Sequence, residues 1–254
     1  RRAWPFLRWP SGGTGWTPEW ATVRFKQAAD VRTVTENVFV IPFFEHDRIR
    51  LAPDGTLRAT LYAMPHLGRR RRVIRPFLTV IVRSTDAGRS WDEIGAIPYQ
   101  PDMNADPLWD LRDGFSEPQV NDMPDGSLLA LLRTDDGNGH GPLYAARSED
   151  GGLTWSRPWI FDDQGVWPQM VTLRSGITLA SYGRPGFFLR ATRDPSGRRW
   201  NERIPLIEPI PASNPNTCAY SGLMALNDHQ ALVVYSDFHY PDPKGDLVKP
   251  CCPV

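Results

Sequence analysis

The sequence predicts an all-β chain assembled from a repeated unit, and three observations predict it. Among 254 residues, 25 are proline, 21 glycine and 10 tryptophan; turn formers this frequent, between short β-branched or aromatic runs, read as many short strands. No stretch of a dozen residues sustains apolar positions at helical spacing, whereas Leu128-Leu129-Ala130-Leu131-Leu132, Leu173 to Ser181 and Ala231 to Tyr235 are strand-length runs bounded by turn residues. Two short motifs also recur along the chain between those runs.

Composition removes several classes of function. The 29 Lys and Arg balance 29 Asp and Glu, so no surplus charge draws the chain to a polyanion and nucleic-acid binding is not its main activity. With 41% hydrophobic and 23% charged residues it is globular rather than disordered. No apolar run approaches the roughly 18 residues of a membrane helix, and Arg1 to Trp20 contains no apolar signal-peptide core. Cys218, Cys251 and Cys252 cannot form a disulfide framework and match no zinc spacing, so Cys218 reads as a reduced filler. His46, His66, His140, His229 and His239 show no ligand spacing and no phosphate-cradling glycine loop occurs, so neither a metal nor a cofactor is expected.

Taken in order, residues 1–35, with Trp4, Trp9, Trp16 and Trp20, fit the repeat poorly. Pro53-Asp54-Gly55-Thr56-Leu57 and Pro124-Asp125-Gly126-Ser127-Leu128 are one pentapeptide with Thr exchanged for Ser, each between apolar runs as a tight hairpin requires. Weaker turns follow at Arg174-Ser175-Gly176 and Asn227-Asp228. Downstream of the first two lie Ser84 to Trp91 and Ser148 to Trp155, both S-x-D-x-G-x-(S/T)-W, and Thr192 to Trp200 is a third copy with one extra residue. The copies begin 64 and 44 residues apart (148 − 84; 192 − 148), a period that indicates a propeller or solenoid. In such a turn the Asp and Ser side chains bond backbone N–H groups, Gly supplies positive φ, and Trp packs between sheets, which predicts a structural role for Trp91 and Trp155.

This octapeptide resembles the Asp-box of the sialidase-type β-propellers. The resemblance implies an all-β, sialidase-like propeller of four-stranded blades, in which the box joins the third strand to the outer one. Units are legible near residues 36–100, 113–162, 165–207 and 216–254, with residues 101–112 as an insert, all within one domain spanning 1–254. The family's propeller closes six blades into a ring; about four are legible here, so the chain is expected to be an incomplete, C-terminal portion.

The same resemblance implies an exo-glycosidase acting on terminal sialic acid or a related 2-keto-acid sugar. That substrate carries a carboxylate on the anomeric carbon, so its site needs arginines, whose guanidinium fork meets both carboxylate oxygens. A carboxylate nucleophile would be repelled, and the family uses a neutral Tyr with a Glu as its base, together with a separate acid Asp. Ser116-Glu117-Pro118-Gln119-Val120 is similar to the segment bearing that Glu, which assigns the base to Glu117. Leu131-Leu132-Arg133 fits the strand-end arginine. The third arginine is Arg184 or Arg190; Arg184, beside Gly183 and Pro185 at a strand end, is preferred. Cys218-Ala219-Tyr220-Ser221 is similar to the segment of the nucleophile, Tyr220, while Tyr235 reads as structural. Tyr62 is placed in a hairpin that could line the pocket for the sugar's side chain.

Two family groups are missing. Phe39-Val40-Ile41-Pro42 has the outline of the first-arginine motif with Val in the place of Arg, and Leu57 to Arg83 contains no Asp to serve as acid. Both are expected upstream. Arg69 to Arg72 reads as a solvated hairpin tip. Expected partners are sialylated or related acidic glycans, with no nucleic acid and no membrane span; a secreted or periplasmic location rests on the family alone. The competing expectation is a non-catalytic Asp-box propeller that binds carbohydrate or protein, since the motif marks fold more than function. If the catalytic assignment holds, Glu117, Arg133, Arg184 and Tyr220 converge, with the Tyr oxygen about 2.6–3.2 Å from the Glu carboxylate.

Overall fold

A computed structural model describes residues 2–26, 43–44, 49–52, 54–63, 76–135, 141–210 and 217–238. Among them there is no α-helix, and one 3-10 turn, Trp109–Leu111, lies within the predicted insert. The strands are β1 (Arg2–Arg8), β2 (Thr17–Arg24), β3 (Phe43–Phe44), β4 (Arg50–Leu51), β5 (Leu57–Ala63), β6 (Leu78–Ser84), β7 (Ser90–Ile97), β8 (Ser116–Asp122), β9 (Leu128–Arg133), β10 (Leu143–Ser148), β11 (Trp159–Asp162), β12 (Val166–Thr172), β13 (Thr178–Gly183), β14 (Phe187–Thr192), β15 (Ile204–Ile207), β16 (Ser221–Ala225) and β17 (Ala231–Tyr235).

They form four sheets. The second, β8-β9-β10-β11, and the third, β12-β13-β14-β15, are four-stranded antiparallel meanders, and β16-β17 is a hairpin. The first sheet runs β1-β2-β7-β6-β5, with β3 and β4 both paired to β5. Leu128 to Leu132 shows why neighbouring sheets stack. Its five residues are all buried; Leu128, Ala130 and Leu132 meet Ile81, Ile97 and Phe115 on the side of the first sheet, while Leu129 and Leu131 meet Met170, Ala180 and Phe188 on the side of the third. Both faces of an alternating strand are therefore apolar, as a strand sandwiched between two layers requires. Ala219 and Val233 continue the stacking from the third sheet to the fourth through Phe187 and Ile207. The result is a succession of curled sheets in a propeller-like arrangement.

At one end of the strands sit the turns. Asp54 accepts the Thr56 N–H at 3.0 Å and Asp125 the Ser127 N–H at 3.0 Å. In all three longer turns the indole N–H of the terminal Trp donates to the carbonyl of the turn's Gly: Trp91 to Gly88 at 3.0 Å, Trp155 to Gly152 at 3.1 Å, Trp200 to Gly197 at 2.7 Å. Ser84 and Ser148 hydroxyls each accept the N–H of that Gly at 2.8 Å. The extra residue in the third copy is absorbed without losing the indole bond. Their backbone groups are bonded within the turn, which holds its shape although many of its residues are exposed.

Two expectations are corrected, and the N-terminal segment finds its place. Leu173 to Ser181 is not one strand: Leu173 N–H bonds Ile177 O at 2.8 Å and Gly176 N–H bonds Leu173 O at 2.9 Å, so the weak turn at Arg174-Ser175-Gly176 divides β12 from β13. Residues 2–24 join the first sheet as a hairpin whose β2 pairs parallel with β7, Val23 opposite Trp91. Among the described buried residues Trp91 packs with Ala21, Val23, Leu61 and Val82, all of the first sheet, where packing between two sheets was expected, while Trp155 packs between the first and second sheets as expected. Phe39 to Pro42 and Arg69 to Arg72 lie outside the described residues.

Candidate active site

The opposite end of the strands is irregular. In both complete meanders the first strand carries a register shift near its start, between Ser116 and Gln119 in β8 and between Val166 and Gln169 in β12. At each shift a non-glycine residue takes positive φ: Glu117 at 40°, Trp167 at 53°, and, ahead of β16, Ala219 at 60°. Glu117 and Trp167 both precede proline, which disfavours helical backbone, so the conformation is strained and held by its surroundings. Bulges of this kind re-aim side chains. Here they aim three successive first strands at one place.

Glu117 is buried, 8% exposed. One of its oxygens pairs with Arg133 Nη1, and the other accepts the backbone N–H of Trp167 at 3.0 Å. Arg133 stands opposite Ser116 across the β8-β9 ladder and pairs through Nη2 with Asp135. Asp135 N–H bonds Asp113 Oδ1 at 3.0 Å, and Asp113 N–H bonds Asp135 O at 2.8 Å. Burial raises the Asp113 carboxyl to about 7, and the neighbouring Asp135 and Glu117 carboxylates push the same way.

Tyr220 comes from the fourth sheet and is 41% exposed. Its ring lies over the Trp167 indole, centroids 4.1 Å apart at 32°, and the Trp167 Nε1–H is anchored on Ser221 O at 3.1 Å. Arg184, at positive φ just after β13, places its guanidinium carbon 5.5 Å from the Tyr220 ring centroid and donates to Cys218 O at 2.9 Å. Burial raises the Tyr220 hydroxyl above its ordinary value; the Glu117 charge adds to the rise, while Arg184 and Arg133 oppose it.

Glu117, Arg133, Arg184 and Tyr220, contributed by three sheets, thus meet at one end of the strands. The expected hydrogen bond between the Tyr220 hydroxyl and Glu117 is not formed; the two carboxylate oxygens pair with Arg133 and with the Trp167 N–H. Arg190 is elsewhere: its guanidinium bonds Asn201 O and Phe161 O and packs over the Phe161 ring. Tyr235 stacks on Phe187, centroids 4.8 Å apart. Tyr62 contacts Phe77 edge-on at 5.1 Å, and Phe77 pairs with Gly114. Among the described residues no group of His, Cys, Asp or Glu could hold a metal ion.

The sequence reading passed over Trp167, Asp113 and Asp135. A signal for Trp167 was present: Glu117-Pro118-Gln119 recurs fifty positions later as Trp167-Pro168-Gln169, at the same point of the repeat.

No family profile and no curated protein matches the chain. Solved structures do. A protein of unknown function from Dyadobacter fermentans superposes with a TM-score of 0.57 at 19% identity over 80% of this chain and 50% of that one. A variant of the α-L-arabinofuranosidase of Fusarium graminearum, bound to an iminosugar inhibitor, superposes with a TM-score of 0.54 at 17% identity over 75% and 55%. Trypanosoma rangeli sialidase is also similar, at 20% identity over 73% of this chain and 28% of that one, but its TM-score of 0.48 is too low to carry weight. The chain spans about half the length of the first two structures. At these identities the likeness is one of fold: this is a propeller-like, all-β fold that includes glycoside hydrolases.

Proposed function

We propose that this constellation serves an exo-glycosidase of the sialidase type, acting on a terminal sialic acid or related 2-keto-acid sugar. The supporting observation is the convergence of Tyr220 with Glu117 and two arginines from three sheets. The strand units near 36–100, 113–162, 165–207 and 216–254 are its blades, and Tyr62 stands at the pocket wall. Tyr220 Oη attacks the anomeric carbon as its proton passes to Glu117, while the glycosidic C–O bond breaks and the aglycone oxygen takes a proton from a separate general acid of the full-length protein. Water, giving a proton back to that acid, then displaces Tyr220, which regains its proton from Glu117. Arg184 and Arg133 face the substrate carboxylate, which would draw Arg133 from Glu117 and leave an oxygen of Glu117 for the Tyr hydroxyl. A phenol with an ordinary pKa near 10 needs such a base at neutral pH.

A second reading is a glycosidase for a neutral furanoside. One observation favours it: Arg133 is already neutralised by Glu117 and Asp135, so Arg184 is the less encumbered cation of the pair. The arabinofuranosidase with the same fold points the same way. The test uses the full-length protein against paired fluorogenic substrates, an α-sialoside and an α-L-arabinofuranoside. Turnover of the sialoside, lost in Tyr220→Phe, is the expected result; turnover of the arabinofuranoside alone sinks the sialidase reading.

A further inference from the structure

We infer that Trp167 is the positioning residue of this site, its backbone N–H fixing the Glu117 carboxylate and its indole fixing the ring of Tyr220. The inference rests on the catalytic reading of those two residues. Trp167 is hydrogen-bonded to one of them and stacked on the other. Trp167 N–H reaches Glu117 Oε2 at 3.0 Å, across the gap between the second and third sheets. Its indole covers Tyr220 at 4.1 Å, across the gap between the third and fourth, and is itself tied to Ser221 O at 3.1 Å. The bulge in β12 makes this possible. At φ 53° Trp167 sits in the break of the register with β13, and its N–H points to the neighbouring sheet. Strain of this kind persists where the surroundings over-determine it, and here three hydrogen-bonded or stacked partners do.

A wall that merely stacked on sugar would leave its face open. Tyr220 covers a face of the Trp167 indole, so removal of the ring is felt by the nucleophile. The two roles separate in kinetics: a positioning residue changes kcat, and a sugar wall changes KM.

Trp167→Gly keeps the positive φ and the N–H while deleting the ring; Trp167→Phe restores a stacking face without the Nε1 bond. In the full-length protein Trp167→Gly is expected to lower kcat by about 10- to 100-fold with KM within about threefold. Trp167→Phe should recover most of that loss. A second measurement does not depend on turnover. The ultraviolet difference between wild type and Tyr220→Phe, followed against pH, isolates the Tyr220 titration. In the Trp167→Gly background it should move down toward the ordinary value near 10, because the ring that desolvates the hydroxyl is gone. A KM change alone, an unmoved Tyr220 titration, or a folded Trp167→Phe no better than Trp167→Gly would each overturn the inference. Should no glycoside be turned over, the catalytic reading falls and the titration still decides whether Trp167 governs Tyr220.

Discussion

The two ends of the strands use the same backbone device for opposite purposes. At the turn end, positive φ falls mostly to glycines such as Gly88, Gly126 and Gly152, with Ala87 beside Gly88 the exception, and most side chains around them bond within their own turn. At the other end Glu117, Trp167, Arg184 and Ala219 carry positive φ despite their Cβ atoms. Glycine adopts that conformation at little cost, whereas these residues hold it only because partners on other sheets do. Regular turns repeat because most of their hydrogen bonds close within the turn itself. Irregular strand starts differ from one another because each delivers a different group to a shared place.

The largest expected contrast between the ends lies in activity. Glu117→Gln should lower kcat on the cognate glycoside by about 10²–10⁴-fold, the usual contribution of a general base, and Tyr220→Phe by at least as much. Neither should alter the thermal unfolding midpoint by more than a few degrees. At the turn end, Asp150→Ala should leave kcat within about twofold of wild type, since Asp150 bonds only Ser148 and Thr154. A turn-end substitution as damaging to kcat as Glu117→Gln would dissolve the distinction.

Packing between sheets comes next. A methyl group on Gly95 of β7 would overlap the carbonyl oxygen of Gly152 in the second indole turn. Gly95→Ala must therefore push the second sheet off the first, at a cost of about 3 kcal/mol by denaturant unfolding. Gly126→Ala, with open space around it, pays only for positive φ, about 1 kcal/mol. Equal losses would mean that the two sheets do not meet as closely at Gly95 as they are placed.

The ends should also titrate with opposite sign. Asp86, Asp150 and Asp194 are held down to about 2 by hydrogen bonds, first of all from Ser90, Thr154 and Ser196. Carboxyls lowered on folding stabilise above their ordinary value near 3.9, and that contribution is lost as pH falls toward 2. Asp113 is the reverse case. Raised to about 7, it binds a proton in the folded state that the unfolded chain releases near 3.9. Its contribution to stability is present below pH 4 and is lost as pH rises through 7. Asp113→Asn should flatten the fall in melting temperature between pH 4 and 7, a matter of a few degrees, and leave the acid limb below pH 4 untouched. Asp86→Asn should do the converse. A flattened acid limb in Asp113→Asn would show that the burial argument for this carboxyl is mistaken.

What was legible in the sequence follows from the same contrast. The two pentapeptide hairpins, the three indole turns and the doubly buried Leu128 to Leu132 are local, and each announces itself by residue type and spacing. Glu117, Arg133 and Tyr220 were found through family resemblance, and the preference for Arg184 over Arg190 came from its position at a strand end; the geometry that brings them together is carried by bulges. Trp167 was missed because its contribution is a backbone N–H and a ring face, neither of which has a sequence signature beyond the recurring Pro-Gln pair. The parallel pairing of β2 with β7 joins segments almost seventy residues apart, Val23 to Trp91, and no local pattern encodes such a contact. Leu173 to Ser181 was misread because apolar residues flank a turn too weak to outweigh them.

The smallest prediction compares two nearly identical turns. Pro53 to Leu57 and Pro124 to Leu128 differ by Thr for Ser, and in both the Asp bonds the N–H and hydroxyl two residues on. Only the second is tied to its sheet. Arg147 of β10 donates to Asp125 Oδ2 at 2.6 Å and to the Ser127 hydroxyl at 3.0 Å, with an arginine side chain only 13% exposed. Asp54 bonds within its own exposed turn, where water replaces a lost partner cheaply. Asp125→Ala should therefore cost about 1–2 kcal/mol, because it strands a largely buried guanidinium as well as the turn N–H. Asp54→Ala should cost about 0.5 kcal/mol or less. The double variant Asp125→Ala with Arg147→Met should recover part of the loss, since the stranded charge is gone, whereas the matching residue beside Asp54, Arg83, is exposed and water relieves its charge. Identical costs at the two turns would mean that Arg147 is held by Glu149 alone, at 2.9 Å, and that the second hairpin is as independent of its sheet as the first.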